Sequence, residues 1–533
     1  MFNINLQAVY RYQQIETDAF ELMTGFSQND FSLRGRATLW AQRNSWRLPR
    51  SVRRIGKKLF IGGRLASGDD GLVDDWSKPL MPYDAMVAPH APAAPASIPT
   101  SSVSNPDDFL VSPGSVHCLI VTPVLDAGGL DEFVAFLARR LPHFGLRVTV
   151  MCAHSSSAPV GQLFTILQIE GTAVVAASPG DACLWMKANR PDVISAHDPP
   201  GWLLQAAKDA RVPVVETLHG IPTPISTNWM EERQRSELVT CFVAVSELVR
   251  RQYLSGNPTY SDRAVITIPN AFNQTHRPSV NRSKARAWLG LNDEFLFLSL
   301  GRHTVQKNAY GLVRAFSEVA EDDHKVHLLI AGRLDDAVYT RQVRTLRDKM
   351  PCKDRIHLRH SFPDPSILLA AADCFVLNSF FEGWSLASME ALSAGLPTIM
   401  SDVGGAREQI GLDGSRGFVV ANPVGDPESA NWHSSSLMRF QPQKNMDELV
   451  SAMKSVVAHR DYWSGVREHL SADSKGRFDP VICSKRHAEV LLGAISRSML
   501  EGEFADCPAV VDAPDGQVRL FENWSGPPDG YRC

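Results

Sequence analysis

The sequence predicts an α/β fold built on parallel sheets, and three observations indicate it. From Ser115 onward, short apolar runs of strand length alternate with segments in which apolar residues recur at helical spacing. The stretch from Ala372 to Gln409 contains one complete strand–loop–helix–strand unit. The chain has 533 residues, which is enough for two or three domains of ordinary size.

Residues 1–84 differ in composition from the rest and are predicted to form a basic extension. Ten Lys and Arg residues lie between positions 34 and 64 with no acidic residue among them, and Trp40 and Trp46 are interleaved. Such a segment fits peripheral contact with an anionic membrane surface. The same composition also fits a solvated flank, or a cap that packs on the other domains. Residues 85–112 are rich in Ala, Pro and Ser and are predicted to be a linker.

Composition limits the kinds of protein to which this chain can belong. The formal net charge of −4 argues against a globally basic nucleic-acid binder, so no nucleic-acid partner is expected. The 9 cysteines contain no C-x-x-C pair, which favours free thiols in a reducing compartment. The first residues lack the pattern of a signal peptide, and no apolar run has the length of a membrane span. We therefore expect a cytoplasmic protein.

A first α/β domain is predicted over residues 113–277. Its first strand, 116–121, is followed by Gly128, Gly129 and Asp131 and then by a helix. His219 directly follows another predicted strand, and carboxyl ends of parallel strands face the ligand side of an open sheet. The glycine pair is also explained if a helix packs closely on a strand there, since glycine has no Cβ. Further strands are predicted at 147–151, 192–196, 212–218, 241–245 and 265–268.

A second domain is predicted over residues 278–479. Its first strand, Phe295–Leu300, is followed by Gly301, Arg302 and then Lys307. Apart from any resemblance to a family, Arg302 and Lys307 are consistent with an ordinary pair of surface cations. Another strand is predicted at 326–330.

The central stretch carries the strongest candidate site. A strand is predicted at Cys374–Leu377, and Ser385 is a good N-cap for the helix that follows. First-turn amides of a helix have no intrahelical partner and suit a phosphate. Glu382 in the loop and Glu390 in the helix repel a phosphate but can accept hydrogen bonds from sugar hydroxyls. The alternative is an ordinary strand–helix–strand unit with solvated glutamates.

The last part of the chain contains an insert and a closing helix. Residues 428–445 are polar and are predicted to be irregular, with no role assigned. Helices are predicted near 447–459 and 480–498. The second of these, bounded as 480–500, is expected to cross back onto the first domain. Residues 501–533 are predicted to be a loose tail.

The stretch F-E-G-W-S-L-A-S-M-E-A-L-S-A-G-L-P resembles the signature of the retaining glycosyltransferases of family 4, also called group 1. Glu382 and Glu390 match its E-x7-E pattern, and the later D-V-G-G agrees with it. The resemblance covers roughly residues 116–492. It implies the GT-B fold, in which two Rossmann-like domains face each other across a cleft. Asp131 stands where the family usually has Glu, and Ala271 replaces a usual glycine.

The resemblance also implies roles for the matched donor-side residues. Arg302 and Lys307 bind the donor diphosphate, together with the amides at Ser385 and Leu386. Glu390 holds the ribose of the nucleotide.

The remaining matched residues concern the reacting sugar and the acceptor. Glu382 positions a hydroxyl of the donor sugar, and His219 approaches the donor sugar and the acceptor. Gly128, Gly129 and Asp131 form the acceptor-side loop.

The implied activity is retaining transfer of a sugar from a nucleotide-diphosphate sugar to an acceptor hydroxyl, in polysaccharide or glycolipid synthesis. The expected partners are the nucleotide sugar and a sugar or lipid-linked acceptor. No metal or other cofactor is expected, because Arg302, Lys307 and the helix amides would stabilise the charge of the leaving diphosphate. The absence of a D-x-D triplet from the chain fits this expectation. Two other interpretations stay open: a nucleotide-sugar epimerase, and an inactive GT-B binding protein that holds a partner through its basic N-terminal segment.

Overall fold

The computed structural model describes residues 72–76, 79–81, 116–126, 128–153, 161–220, 227–260, 265–271, 281–362 and 364–500. The basic stretch 34–64, the predicted linker and the tail after residue 500 lie outside the described residues. The predictions about these segments, including membrane contact, stay predictions.

The described chain divides into two compact units, each built on one parallel sheet. The first unit comprises the described parts of 104–223, 227–273 and 478–533. The second comprises the described parts of 1–103 and 274–477. The boundaries predicted from sequence at 112, 277 and 479 stay predictions.

Seven strands of the described chain form the sheet of the first unit. They are β1 (Val116–Thr122), β2 (Leu146–Cys152), β3 (Ala173–Ala176), β4 (Val193–His197), β5 (Val214–Leu218), β6 (Cys241–Ala244) and β7 (Val265–Thr267). Their order is β3-β2-β1-β4-β5-β6-β7, and every pair is parallel. The strands β1, β4 and β5 are buried almost throughout. Burial on both faces favours apolar residues in such strands, although β5 also buries Glu216 and Thr217.

Helices connect these strands, as parallel pairing requires. They are α1 (Gly129–Arg140), α2 (Gln162–Ile169), α3 (Pro179–Asn189), α4 (Gly201–Ala210), α5 (Trp229–Ser236) and α6 (Glu247–Gly256).

The sheet of the second unit has the same pattern with six strands in the described chain. They are β8 (Phe295–Leu300), β9 (Val326–Ala331), β10 (Ile356–Arg359), β11 (Cys374–Leu377), β12 (Thr398–Ser401) and β13 (Gly417–Val420). Their order is β10-β9-β8-β11-β12-β13, again parallel throughout.

The helices of the second unit are given in chain order. They are α7 (Arg282–Leu289), α8 (Ala309–Asp322), α9 (Ala337–Lys349), α10 (Pro365–Ala371), α11 (Leu386–Ser393), α12 (Ala406–Ile410), α13 (Trp432–Met438), α14 (Met446–Ala458), α15 (Arg460–Gly465) and α16 (Arg467–Arg477).

Apolar cores cover both faces of the second sheet. Along β8, Phe295 and Phe297 belong to one buried cluster, and Leu296 and Leu298 belong to the other. Successive side chains of a strand point to opposite faces, so this alternation fills a core on each side.

Both sheets reverse their strand order at one point. In the first unit the reversal lies between β1 and β4, and in the second it lies between β8 and β11. In open α/β sheets a crevice for ligands opens at this point, outside the carboxyl ends of the two strands. The loops after these strands are therefore the places to look for a site.

The long C-terminal helix α17 (Pro480–Leu500) belongs to the first unit. Its buried residues Cys483, Ala488 and Leu491 lie in the apolar core of that unit. Arg486 Nη2 also donates a hydrogen bond to the carbonyl oxygen of Thr267 at the end of β7 (3.0 Å).

Residues 72–76 and 79–81, called the N-terminal clasp below, pack on the second unit. The Asp74 amide donates to the carbonyl of Leu358 (2.8 Å), and the His360 amide donates to the carbonyl of Asp74 (3.2 Å). The clasp thus pairs in parallel with β10 at the edge of the sheet. An edge strand presents unpaired backbone groups, and the clasp satisfies some of them.

The side chain of Trp76 anchors the clasp to the rest of the second unit. Trp76 Nε1 donates to the carbonyl of His360 (3.1 Å). Its ring stacks on Trp288 with the ring centroids 5.9 Å apart, and it meets Phe362 edge-on at 5.1 Å. The guanidinium of Arg359 lies 5.6 Å from the centroid of the same ring. Trp76 therefore joins the clasp to two separate parts of the second unit, the helix α7 and the segment after β10.

Replacing Trp76 with alanine is expected to lower the free energy of unfolding by about 2–3 kcal/mol, because a large, half-buried ring and its hydrogen bond are lost. Urea unfolding of the full chain measures this. Tyr462→Ala is the control, since that side chain is 57% exposed and its loss is expected to cost under about 1 kcal/mol. An equal loss in both variants would mean that the clasp adds no stability.

The predicted α/β class is confirmed, and the strand Cys374–Leu377 lies where the sequence predicted it. The prediction of an irregular segment over 428–445 is wrong in part, because Trp432–Met438 is the helix α13. Asn431 caps this helix by accepting hydrogen bonds from the amides of His433 (2.9 Å) and Ser434 (3.0 Å). The helix is short and rich in serine, so apolar spacing could not predict it.

Candidate functional site

Lys307 and Glu382 form the centre of the candidate site in the second unit. Lys307 ends a short 3₁₀ turn after β8, and Glu382 lies in the loop after β11, so both follow the strands at the reversal point. Lys307 Nζ donates to Glu382 Oε1 at 2.6 Å. The side chains are only 18% and 9% exposed. An anion that binds Lys307 must therefore compete with Glu382.

Backbone and amide contacts hold these two loops together. The Phe380 amide donates to the carbonyl of Gln306 (2.9 Å), and Gln306 Nε2 donates to the carbonyl of Phe381 (3.0 Å). Gln306 is adjacent in sequence to Lys307, and Phe381 is adjacent to Glu382. The two loops are thus joined directly beside the residues that carry the two charged groups.

Glycine at two positions makes room for this arrangement. A Cβ on Gly301 would lie 3.1 Å from Cε of Lys307, and a Cβ on Gly332 would lie 1.8 Å from the carbonyl oxygen of Gly301. The second approach is closer than any side chain allows. The turns after β8 and β9 can therefore meet only because residue 332 is a glycine.

Arg302 lies beside the same pocket as Lys307. Gly301, Arg302, His303 and Lys307 line one pocket of the second unit. Arg302 is 49% exposed, and its Nη1 lies 3.2 Å from Oδ2 of Asp335. Burial alone would raise the pKa of the Asp335 carboxyl, but the hydrogen bonds and charges of the neighbouring arginines outweigh it and lower that pKa.

Ser385 begins the helix α11 as predicted. Its Oγ accepts from the Ser388 amide (3.2 Å), and its carbonyl accepts from Gln409 Nε2 (3.1 Å). Leu386 is the first residue of the helix, and Glu390 is half-buried in its second turn. The amide end of α11 is therefore held rigidly directly after the Glu382 loop.

The D-V-G-G sequence has a packing reason in this structure. The Gly405 amide donates to the carbonyl of Gly383 (3.0 Å), and a Cβ on Gly405 would lie 2.1 Å from the ring of Trp384. A Cβ on Gly404 would lie 2.1 Å from the Gly383 carbonyl oxygen. The glycine pair lets this turn pack directly on the loop that carries Glu382.

In the first unit, His219 belongs to a cluster of three histidines. His219 follows β5, and its Nε2 lies 2.9 Å from Nδ1 of His197 at the end of β4. His197 Nε2 lies 3.2 Å from Oγ of Ser195. The ring of Phe133 contacts His219 and His487, with centroids 5.7 and 5.5 Å apart. His219 is therefore fixed in orientation by its packed neighbours.

Burial keeps these imidazoles neutral near pH 7. Burial lowers the pKa of His219 to about 4. Burial, with the positive charge of Arg486 beside it, lowers the pKa of His487 to about 3. For His197, burial is again the largest cause of a lowered pKa. A neutral His219 can donate through one ring nitrogen and accept through the other.

Gly128, Gly129 and Asp131 lie at the start of α1, at the reversal point of the first sheet. Gly128 is the N-cap residue, and Asp131 Oδ2 accepts a hydrogen bond from the Asp126 amide (3.1 Å). Asp131 is buried and closes the loop on itself. Phe133, on the same helix, connects this loop with His219.

The predicted residues therefore fall into two groups, one in each unit. The second unit brings together Lys307, Glu382 and Arg302 beside the start of α11. The first unit packs His219 against Phe133 of the helix that also carries Asp131. The roles predicted for all of them stay proposals.

Sequence reasoning missed several residues of these groups. His197 is the last residue of a strand, and His219 directly follows another. A polar residue at the carboxyl end of a predicted strand is a sequence signal that could have identified His197. Gln306 and Gln409 gave no signal, since an isolated glutamine in a loop or short helix has no diagnostic spacing. His487 lies on α17, far away in sequence from the strands beside it.

Among the described residues, no helix combines the length and the apolar character needed to cross a bilayer. In the same residues, no group of three or more His, Cys, Asp or Glu side chains has the arrangement of a metal site.

Two family models match the chain. Residues 127–275 match the model described as Glycosyltransferase Family 4, and residues 281–439 match the one described as Glycosyl transferases group 1. Together they cover more than half of the 533 residues. With the two parallel sheets described above, they place this chain in the group 1 glycosyltransferases of GT-B fold.

Curated relatives agree with this family over part of their length. Glycogen synthase of Mycobacterium tuberculosis is 25% identical over 258 residues, which is 44% of this chain and 57% of that protein. The Escherichia coli UDP-Gal:alpha-D-GlcNAc-diphosphoundecaprenol alpha-1,3-galactosyltransferase is 28% identical over 243 residues, 41% of this chain and 60% of that protein. The chain thus spans less than two thirds of these relatives.

Solved structures agree on the fold. The Anabaena protein HepE, in a complex with UDP-glucose, superposes with a TM-score of 0.57 over 71% of this chain and 99% of that one. The two sequences are 19% identical, so this likeness concerns the fold.

Proposed function

We propose that this chain transfers a sugar from a nucleotide-diphosphate sugar to an acceptor hydroxyl, with retention of configuration at the anomeric carbon. The proposal rests mainly on one observation. Lys307 and Glu382 meet at the reversal point of the second sheet, beside the start of α11. Family membership and the UDP-glucose complex of the HepE structure support the same substrate class.

The donor diphosphate is proposed to bind where positive charge is concentrated. Lys307 and Arg302 line one pocket, and the first amides of α11, at Ser385 and Leu386, add partial positive charge close to the Glu382 loop. Glu382 is released from Lys307 when the phosphate binds. It then accepts a hydrogen bond from a donor sugar hydroxyl.

Departure of the nucleoside diphosphate is the difficult step, since negative charge builds on its phosphate oxygen. Lys307 and the helix amides are pre-organised to stabilise that charge. The bond from the anomeric carbon to the phosphate oxygen breaks while the acceptor oxygen bonds to the same face of the sugar. The acceptor proton passes to the departing phosphate oxygen. The chain itself then needs no covalent nucleophile.

The remaining roles follow from the family resemblance. Glu390 is proposed to hold the ribose, and His219 to approach the donor sugar and the acceptor. Gly128, Gly129 and Asp131 are proposed to form the acceptor-side loop. A lipid-linked acceptor is proposed because the E. coli relative acts, by its name, on a diphosphoundecaprenol sugar.

A thermal-shift screen with UDP, GDP, ADP and their sugars tests the donor proposal. A ligand at 100 times its dissociation constant stabilises the folded chain by about 2.7 kcal/mol. One nucleotide series is expected to raise the melting temperature and the other two to leave it nearly unchanged. No shift with any of them would contradict a donor site.

Transfer is expected to proceed at an unchanged rate in excess EDTA, because Lys307, Arg302 and the helix amides supply the positive charge for the diphosphate. The assay compares product formation with and without chelator, using protein purified in chelator. Loss of activity that Mg²⁺ or Mn²⁺ restores would reject this mechanism.

A further inference from the structure

Four buried amide side chains form a cluster beneath the candidate donor site. They are Asn308, Asn378, Gln443 and Asn445, called the amide cluster below, and each is at most 5% exposed. Asn308 Nδ2 donates to Gln443 Oε1, and Gln443 Nε2 donates back to Asn308 Oδ1, both at 2.8 Å. Two residues of the cluster come from the insert 428–445, to which the sequence assigned no role.

Asn308 connects the cluster to Lys307, the residue directly before it. Its backbone is left-handed, with φ 54° and ψ 42°, a conformation that Asn tolerates better than most residues. Its Oδ1 also accepts from the Gly311 amide (3.3 Å) and so caps α8. A Cβ on Gly311 would lie 2.2 Å from Gln443 Oε1, so Gln443 fills the space beside the first turn of α8.

Asn378 connects the cluster to the Glu382 loop. It is the first residue after β11, and its Nδ2 donates to Gln443 Oε1 at 3.4 Å. Asn445 Nδ2 donates to Asn378 Oδ1 at 2.8 Å. The side chain of Gln443 therefore bonds to both segments, the one that carries Lys307 and the one that leads to Glu382.

The rest of the insert packs beside the same two segments. The ring of Trp432 meets Phe381 edge-on, with centroids 5.2 Å apart, and Phe381 precedes Glu382. Phe440 meets Tyr310 at 4.8 Å, three residues after Lys307. Two aromatic contacts of the insert thus involve residues close in sequence to the ion pair.

We propose that the insert 428–445 is a brace that sets the separation of Lys307 and Glu382, and that Gln443 is its positioning residue. Gln443 acts through Asn308 and Asn378. This inference rests on the proposed function, since the separation matters only if both residues serve one donor. Buried amides constrain geometry strongly, because a buried polar group that loses its partner keeps the full cost of its desolvation.

Gln443→Leu is the main test, since it keeps a similar volume and removes both hydrogen-bonding atoms. Binding of whichever nucleoside diphosphate the wild type takes is measured by isothermal titration. Affinity is expected to fall about tenfold, and kcat is expected to fall by at least as much, because small displacements of reacting groups are costly. Asn308→Gly removes the same contact and leaves a left-handed backbone that glycine adopts freely. It is expected to have the same effect.

Two further variants separate positioning from stability. Gln443→Asn keeps an uncharged amide that can donate to and accept from its neighbours, and it is expected to recover part of the affinity lost in Gln443→Leu. Leu437→Ala, at an exposed position of the insert, is the matched control and is expected to bind as the wild type does. Melting temperatures are recorded for all variants, and titrations are made where each is folded.

The outcomes distinguish this inference from the proposed function. If the wild type binds no nucleoside diphosphate, the proposed function fails. If the wild type binds and both Gln443→Leu and Asn308→Gly bind equally well, only the brace is rejected. Lower melting temperatures with unchanged affinity and kcat would also reject it, since Gln443 would then be structural alone.

Discussion

Replacing Lys307 with alanine is expected to weaken nucleoside diphosphate binding about 10- to 100-fold. A hydrogen bond to a charged group contributes about 1.5–3 kcal/mol, and each 1.4 kcal/mol corresponds to a factor of ten. The variant also leaves Glu382 without its partner at 2.6 Å, so a nearby negative charge then opposes the phosphate. Isothermal titration with UDP, GDP and ADP measures the loss.

Lys454→Ala is the control for that experiment. Lys454 lies in the same unit and pairs with Asp322 at 2.7 Å, but it is far more exposed than Lys307. We expect it to bind the nucleotide normally. Unchanged affinity in Lys307→Ala, with a normal melting temperature, would remove Lys307 from the donor site.

The second large effect is expected at Glu382, where substitution lowers transfer but does not weaken nucleotide binding. In Glu382→Gln, transfer is expected to fall about 10²- to 10³-fold, because a neutral amide accepts a sugar hydroxyl more weakly than a carboxylate. Nucleoside diphosphate affinity is expected to stay the same or to rise, since Lys307 no longer has a carboxylate partner. Steady-state kinetics and titration of the same preparation measure the two quantities.

The exposed residue Glu318 on α8 gives the matched control, Glu318→Gln, for which both quantities are expected to equal those of the wild type. Normal transfer by Glu382→Gln would contradict its assigned role. A parallel fall in binding and transfer would point instead to damage of the diphosphate site.

The sequence predicted the parts of the fold that depend on local pattern. Buried parallel strands are continuous apolar runs, so strands such as Phe295–Leu300 and Cys374–Leu377 could be placed closely. The capping role of Ser385 follows equally from local chemistry. The spacing of Glu382 and Glu390, with the residues around them, was enough to indicate the family.

The parts that were missed depend on distant contacts. The bond between Asn308 and Gln443 joins positions 135 residues apart, and the clasp joins Trp76 to residues near 288 and 360. Contacts between residues so far apart leave no periodic pattern in the sequence. His197 differs, because its position at the end of β4 is a local feature that sequence reasoning can detect.

The packing of the clasp also changes how the N-terminal extension is interpreted. From composition alone, residues 1–84 formed one basic extension. Leu72, Val73 and Leu80 are buried against the second unit, so the end of that extension is part of the folded structure. The sequence did not indicate this packing, because the apolar residues of the clasp are few and have no regular spacing. The charges of 34–64 dominate the composition of the whole extension.

Turnover of nucleotide sugars by the purified full chain tests the proposed sugar transfer directly. It is incubated with UDP-, GDP- and ADP-hexoses and with simple and lipid-linked sugar acceptors, and the released nucleoside diphosphate and the product are quantified. We expect the wild type to consume one nucleotide series and Glu382→Gln to consume none. Proton NMR is expected to find the donor's anomeric configuration in the product. No consumption with any donor, equal release by both proteins, or an inverted product would contradict retaining sugar transfer by this chain.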